Sequence, residues 1–208
     1  VINKQFIVLP ELSKTTTFDE TKLNVALDYA NALTDKGWAW LVNSANTYPK
    51  VSASISGLSL DGNNSSVSGA AFTAGEFSYK YAGKYTLTLT IGDFNNYGWV
   101  GQDEQYIEIE VTVDRQAIKA PSISDTYEYD YNDRNVSLTD NSGKGWTWLA
   151  NQNDAYAKIA ASAAYNGGSA LSGAVNLADG IFVYENAGKY IITFTIGSAL
   201  NYFWVDDS

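Results

Sequence analysis

An internal repeat constrains the fold of this chain more than any other feature of its sequence. Residues 82–99 read AGKYTLTLTIGDFNNYGW, and residues 187–204 read AGKYIITFTIGSALNYFW. The two stretches are identical at 11 of 18 positions without a gap, at an offset of 105 residues. A match of this length and quality indicates that one structural unit occurs twice in the chain.

Two further stretches repeat in the same order. DKGWAWLVN at 35–43 matches GKGWTWLAN at 143–151, and KQFIVLPELS at 4–13 matches RQAIKAPSIS at 115–124. The period is too long for a solenoid unit, and each copy is long enough to bury its own core. We therefore expect two tandem domains, at residues 1–116 and 117–208.

Alternating apolar and polar residues predict short strands inside each copy. Residues 85–91 (YTLTLTI) place apolar side chains on one face and threonines on the other, and residues 190–196 (YIITFTI) keep this parity. Residues 106–114 (YIEIEVTVD) alternate in the same way, with glutamates outward. Residues 20–33 have some helical character, but their counterpart in the second copy does not, so we expect extended or irregular structure there. Many short strands separated by turn signals predict an all-β fold with one β-sandwich per copy.

A tyrosine begins the alternating strand of each copy. Tyr85 and Tyr190 both follow Ala-Gly-Lys. In immunoglobulin-type sandwiches, a tyrosine near the start of strand F hydrogen-bonds to the backbone just upstream. The disulfide cysteine of antibody domains would stand two residues later, where this chain has Leu87 and Ile192. We therefore expect a tyrosine corner in each copy and a core held by apolar packing alone.

The pattern A-G-K-Y, an alternating strand ending in I-G, then N-Y-x-W and finally I-x-K-A-P, resembles the tandem bacterial immunoglobulin-like repeats of large cell-surface and secreted proteins. The likeness covers the C-terminal half of each copy well and the N-terminal half poorly. It implies two tandem Ig-like β-sandwiches outside the cell that act as stalk, spacer or adhesin modules. The residues that carry it are Ala82–Ile91, Asn96, Tyr97, Trp99, Ile118–Pro121, Ala187–Ile196, Asn201, Tyr202 and Trp204.

The composition argues against catalysis. The chain has no cysteine and no histidine, so thiolate chemistry and the usual general base are both missing. Adjacent carboxylates such as Asp103 and Glu104 point apart on a strand and do not form a pair across a cleft. We expect a protein that is not an enzyme. Because the chain begins at Val1 and lacks methionine, we also expect it to be a processed or excised piece of a longer protein.

The charge limits the partners. Lysine and arginine number 13 and aspartate and glutamate 23, which gives a formal net charge of −10. Such a surface repels phosphate backbones and anionic lipids, and the sequence has no long apolar run. We expect no nucleic acid partner and no membrane insertion. The expected partners are neighbouring repeats of the same protein, with a glycan or a host protein as further candidates.

Tryptophans supply one candidate binding site. Trp38 and Trp40, and likewise Trp146 and Trp148, stand two residues apart, so each pair faces one way if the segment is a strand. Such a pair could stack sugar rings, which predicts a carbohydrate-binding or host-ligand-binding module. The alternative is that the tryptophans belong to the core.

An acidic loop supplies one candidate metal site. Asp130, Asn132 and Asp133 lie in EYDYNDRN, and Asp140 follows shortly after. Calcium binds several oxygen ligands, which these side chains would offer. The run lacks the glycine and the closing glutamate of a calcium-loop helix pair, so a solvated acidic loop is the alternative. No other cofactor is expected.

The second copy ends before a counterpart of the strand 106–114. We expect the second sandwich to lack its last strand within residues 117–208, which would leave an open sheet edge. Either the strand lies outside the given residues, or a neighbouring molecule supplies it. The second case would make the protein a subunit of a polymeric surface appendage joined by strand complementation.

Overall fold

The chain forms two compact units. The structure, a computed structural model, describes residues 1–29, 37–42, 50–123, 126–151 and 156–205. The first unit spans Val1–Arg115 and the second Gln116–Ser208. Strands account for 44% of the described residues, which contain just two short helices, so the all-β expectation is confirmed. Neither helix is long and apolar enough to cross a bilayer.

The first unit contains nine strands and one helix in the described residues. They are β1 (Gln5–Ile7), β2 (Ser13–Thr17), β3 (Asn24–Ala26), α1 (Gly37–Leu41), β4 (Val51–Leu58), β5 (Ala71–Thr73), β6 (Glu76–Ser78), β7 (Gly83–Ile91), β8 (Tyr97–Trp99) and β9 (Tyr106–Asp114). The four-stranded sheet has the order β2-β9-β7-β4, in which β2 runs parallel to β9 and the other pairs are antiparallel. An antiparallel sheet β3-β6-β5 and a parallel pair β1-β8 complete the unit.

The second unit repeats most of this plan. Its elements are β10 (Gln116–Lys119), β11 (Asn135–Ser137), α2 (Trp146–Leu149), β12 (Ile159–Tyr165), β13 (Ala170–Leu171), β14 (Val175–Asn176), β15 (Ile181–Val183), β16 (Tyr190–Ile196) and β17 (Tyr202–Val205). The sheets have the orders β13-β12-β16 and β11-β15-β14, and β10 pairs in parallel with β17. Among the residues described after Arg115, no strand corresponds to β9 or to β2.

Alternation places the core of the first unit as the sequence predicts. All four apolar residues of the 85–91 run on β7 are inaccessible to solvent, and the inward side chains of β9 are at most 8% exposed. Phe77 of β6 contacts Tyr85 of β7 with ring centroids 5.2 Å apart, so the three-stranded and four-stranded sheets meet in this core. Each fully buried side chain of this size contributes about 1.5–3 kcal/mol to stability.

In both units, the tyrosine that begins the alternating strand hydrogen-bonds to the backbone four residues upstream. The Tyr85 hydroxyl donates to the Tyr81 carbonyl at 2.7 Å, and the Tyr190 hydroxyl donates to the Asn186 carbonyl at 2.8 Å. The expected hydrogen bond to the backbone just upstream is therefore present twice. The two corners differ in environment, because Tyr85 is fully buried and Tyr190 is half-buried.

This difference predicts an alkaline destabilisation that originates in the first unit. Burial raises the pKa of Tyr85 from its ordinary 10.0 to about 12. The folded state therefore keeps a proton that the unfolded chain releases. The neutral, buried Tyr85 phenol therefore contributes fully to stability below about pH 10. This contribution falls by about 1.4 kcal/mol per pH unit up to about pH 12. Urea unfolding of Tyr85→Phe between pH 9 and pH 12 should show a shallower fall than the native chain.

Tyr190→Phe is the matched control for this experiment. It removes the equivalent corner hydrogen bond at a half-buried phenol and should leave the alkaline fall in place, after an initial loss of about 1 kcal/mol. An identical pH slope in Tyr85→Phe and the native chain would contradict the assignment to Tyr85.

Candidate functional site

The tryptophan motif is helical in both units, so the condition of a strand, on which a shared tryptophan face depended, is not met. Trp38 and Trp40 lie on α1, and Trp146 and Trp148 lie on α2. Successive residues of a helix are separated by about 100°, so positions i and i+2 point roughly 200° apart. The two indoles of each helix therefore face different neighbours and do not form one flat platform. All four side chains are half-buried.

The first tryptophan of each helix packs over a glycine. The Trp38 Nε1 donates to the Leu27 carbonyl at 3.0 Å, and the Leu27 amide donates to the Gly75 carbonyl at 2.8 Å. Gly75 has φ +98°, and a Cβ built on it would overlap the Trp38 indole. Phe72 meets the same indole edge-on, with ring centroids 5.2 Å apart. Glycine is required at residue 75 on two grounds, backbone conformation and space.

The second unit repeats this contact. Gly180 has φ +65°, and a Cβ on it would overlap the Trp146 indole. The Leu138 amide donates to the Gly180 carbonyl at 2.8 Å, as Leu27 does to Gly75. Trp146 also packs against the buried cluster that contains Phe182 and Val136. The first tryptophan of each motif therefore belongs to the packed framework.

Alanine at Gly180 should destabilise the second unit more than a positive φ alone explains. Gly180→Ala combines left-handed strain with displacement of the Trp146 indole, and we expect a loss of about 2–4 kcal/mol. Gly143→Ala is the matched control, because Gly143 has φ +71° and no atom within 4 Å of a built Cβ. It should lose only about 1 kcal/mol. If denaturant unfolding gave equal losses of stability for Gly180→Ala and Gly143→Ala, the packing of the Trp146 indole would not depend on Gly180.

The second tryptophan of each helix packs against a tyrosine and a lysine. Trp40 meets Tyr97 edge-on at 6.3 Å, and the Lys50 Nζ lies 4.7 Å from the Trp40 ring centroid. Trp148 meets Tyr202 edge-on at 6.1 Å, and Lys158 lies 5.3 Å from its ring. An ammonium over an indole face is attracted by the ring quadrupole. The same three-part contact therefore joins the helix, the parallel strand pair and the start of β4 or β12.

The two lysines of this contact are buried, which sequence reasoning did not predict. Lys50 is 2% exposed and Lys158 is inaccessible. Within the residues that the structure describes, the Lys50 Nζ has no hydrogen-bond partner. Removing an ammonium group from water costs free energy. The cation–π contact with the indole offsets part of this desolvation cost. The sequence feature that could have indicated these lysines is the Tyr-x-Lys pattern, which follows each tryptophan motif.

The acidic loop forms turns. The Asp130 Oδ1 accepts from the Asn132 amide at 2.8 Å, and the Asp133 Oδ1 accepts from the Asn135 amide at 3.1 Å. The Asp133 carbonyl also accepts from the Tyr184 hydroxyl at 3.0 Å. The described part of the chain contains no group of three or more aspartate, glutamate, histidine or cysteine side chains able to hold a metal ion.

The first unit contains the same turn without the acidic run. The Asp19 Oδ1 accepts from the Thr21 amide at 2.9 Å, and the Lys22 carbonyl accepts from the Tyr79 hydroxyl at 2.8 Å. Asp19 and Lys22 stand 111 residues before Asp130 and Asp133. The loop is therefore part of the repeated framework, and its two carboxylates serve as local caps.

Asp140 caps the approach to α2. Its carboxylate accepts from the Ser142 amide and from the Gly145 amide, each at 2.7 Å. Partial burial favours the protonated form, but the hydrogen bonds from Ser142 and Gly145 outweigh it and lower the pKa of Asp140. Asp140 therefore stabilises the loop before Trp146 as a carboxylate, and the structure does not bring it to the Asp130 turn.

The second unit contains an open groove beside the repeated motifs. It has a volume of about 540 Å³ and runs along β16. Ile192 and Phe194 of β16 and Phe182 of β15 line it. The first unit has β9 at the corresponding place.

No protein family model, curated protein or solved structure matches the chain.

Proposed function

We propose that the chain is a non-catalytic structural module, built from two tandem Ig-like β-sandwich repeats of a bacterial surface or secreted protein. In this role it acts outside the cell as a stalk, spacer or adhesion scaffold. The observation that carries the proposal is that the repeated side chains are used for internal packing. Repetition preserves a framework in this chain, as expected where the repeat itself is the functional unit.

Each repeated interaction supports this reading. The corner tyrosine, the tryptophan over glycine, the lysine over tryptophan and the aspartate turn occur once in each unit with the same geometry. None of them leaves a nucleophile beside a base, which acyl or glycosyl transfer would require. The net charge of −10 favours a soluble, non-associating surface.

The main rival is a glycan-binding module that uses the tryptophan faces. Sugar stacking needs an exposed, flat aromatic surface. The half-buried indoles each pack against a neighbouring ring or glycine, which weakens this rival.

Mechanical pulling combined with a glycan screen tests the proposal. For the full chain between molecular handles we expect two separate cooperative unfolding events, because each unit has its own core. We also expect no glycan to shift the tryptophan emission. A saturable glycan response that Trp148→Phe abolishes in a folded protein would contradict the spacer role and favour the rival. A single unfolding event would contradict the assignment of two independent repeats.

A further inference from the structure

The first unit pairs a strand near the beginning of its chain with the strand at its end. β2 lies beside β9 at one edge of the sheet β2-β9-β7-β4, and the two strands are parallel. Five residues of each strand are in register, from Ser13 opposite Glu110 to Thr17 opposite Asp114. Because parallel strands point the same way, the N-terminal end of β2 and the C-terminal end of β9 lie at opposite ends of this ladder.

Two hydrogen bonds mark the ends of the ladder. The Glu110 amide donates to the Leu12 carbonyl at 2.9 Å, and the Phe18 amide donates to the Asp114 carbonyl at 2.7 Å. Leu12 and Phe18 flank β2 directly, so the bonded segment is one residue longer than the strand at each end. Phe18 is also 1% exposed, which fixes this end of the segment in the core.

The two bonds also show which residues of β2 bond to β9. In a parallel pair, alternate residues of a strand direct both the N–H and the C=O at the neighbouring strand. Leu12 and Phe18 are such residues, so Lys14 and Thr16 between them are as well. The N–H of Thr15 points away from β9, because β2 is the edge strand of the sheet.

Tension along the chain acts on this ladder in shear. β2 is pulled toward its N-terminal end and β9 toward its C-terminal end, so the force runs along the two strands in opposite directions. The hydrogen bonds between the strands are then loaded together. Two antiparallel terminal strands would instead bring the pulled ends side by side, and their hydrogen bonds would open one after another.

β9 is held firmly on its other side. It pairs with β7 over eight residues, and its side chains Ile109, Val111 and Val113 are inaccessible to solvent in the core. Arg115 alone separates β9 from β10, so tension from the second unit reaches β9 through a single residue. The shorter β2–β9 ladder is therefore the contact that must yield before β2 and β9 can be drawn apart.

We propose that the β2–β9 ladder is a mechanical clamp, which bears tension along the chain in the first unit. The groups that bear the load are the backbone amides and carbonyls of residues 12–18 and 110–114. The resistance depends on the direction of the force, which is high along the strands and low when they are peeled apart. The use of the clamp rests on the proposed stalk or spacer role, in which the module transmits tension. Its dependence on direction does not rest on that role.

Single-molecule pulling of the full chain in two directions tests the proposal. Because the chain has no cysteine, handles attach only at introduced cysteines, and Leu12, Glu108 and Asp114 are all exposed. Handles at Leu12→Cys and Asp114→Cys load the ladder in shear, whereas handles at Leu12→Cys and Glu108→Cys peel it from one end. The unfolding force in shear should be about twice the peeling force or more, because several hydrogen bonds must break together. Equal forces in the two directions would overturn the proposal.

Proline substitutions test which amides bear the load. Thr16→Pro removes an N–H that is directed at β9, and it should lower the unfolding force in shear by about a third or more. Thr15→Pro is the matched control, because its N–H points away from β9 and proline is tolerated at such positions of an edge strand. It should leave the force in shear unchanged. Equal reductions in the two variants would show that the ladder does not bear the load.

The pulling records separate failure of the clamp from failure of the proposed function. An event that releases about 350 Å of chain between the shear handles marks unfolding of the first unit. Equal forces in both directions, with two unfolding events between the chain ends and no glycan response, would remove the clamp and leave the structural module. The direction experiment keeps the backbone of the ladder unaltered, so it decides the proposal even if Thr16→Pro does not fold.

Discussion

Each unit depends on one constraint. A neighbouring strand must cover the apolar face of the strand that begins at the corner tyrosine. In the first unit this face belongs to β7, and β9 and β4 hold the strand from both sides. As a result, every second side chain from Tyr85 to Ile91 is inaccessible to solvent. In the second unit a strand with the same apolar parity has one described neighbour, and the equivalent side chains are half-buried. Burial here is a property of the neighbouring strand as much as of the sequence itself.

The repeated polar contacts have a common physical logic. Each places a polar group where backbone or aromatic surface compensates its desolvation. The tyrosine hydroxyls bond to carbonyls, and the lysine ammoniums lie over indoles. Because such buried contacts fix a particular geometry, they specify the framework even where their net contribution to stability is modest. A framework specified in this way can recur along a chain without an exposed site, which is why a structural module is the function that we propose.

Much of the fold could be predicted from alternation. The 85–91 run faces inward and the glutamates of 106–114 face outward, because a period of two leaves no other arrangement in a half-buried sheet. The corner hydrogen bonds followed from the position of the tyrosines. The unpaired edge of β16 within residues 117–208 was also foreseeable, because those residues contain no stretch that matches 106–114.

The candidate sites were less predictable, because side-chain direction depends on local backbone. The motif Gly-Trp-x-Trp is too short for the spacing of its apolar residues to distinguish one helical turn from a strand. In the helix, the two indoles point in different directions. The acidic loop was a candidate calcium site because its side chains offer oxygen ligands. The matching turn at Asp19 could not be recognised beforehand, because the two loops differ in sequence although Asp19 and Asp130 form the same turn. The buried lysines were visible as a repeat, but charge alone argued for exposure.

Hydrogen exchange of the full chain at monomeric concentrations tests the central claim most directly. If neighbouring strands determine the state of each unit, the amides of residues 85–91 should be protected throughout. Every second amide of residues 190–196 should exchange about a hundred-fold faster or more, because it lies at an open sheet edge. Uniform protection along both strands would contradict the account, since it would show that β16 is covered as fully as β7.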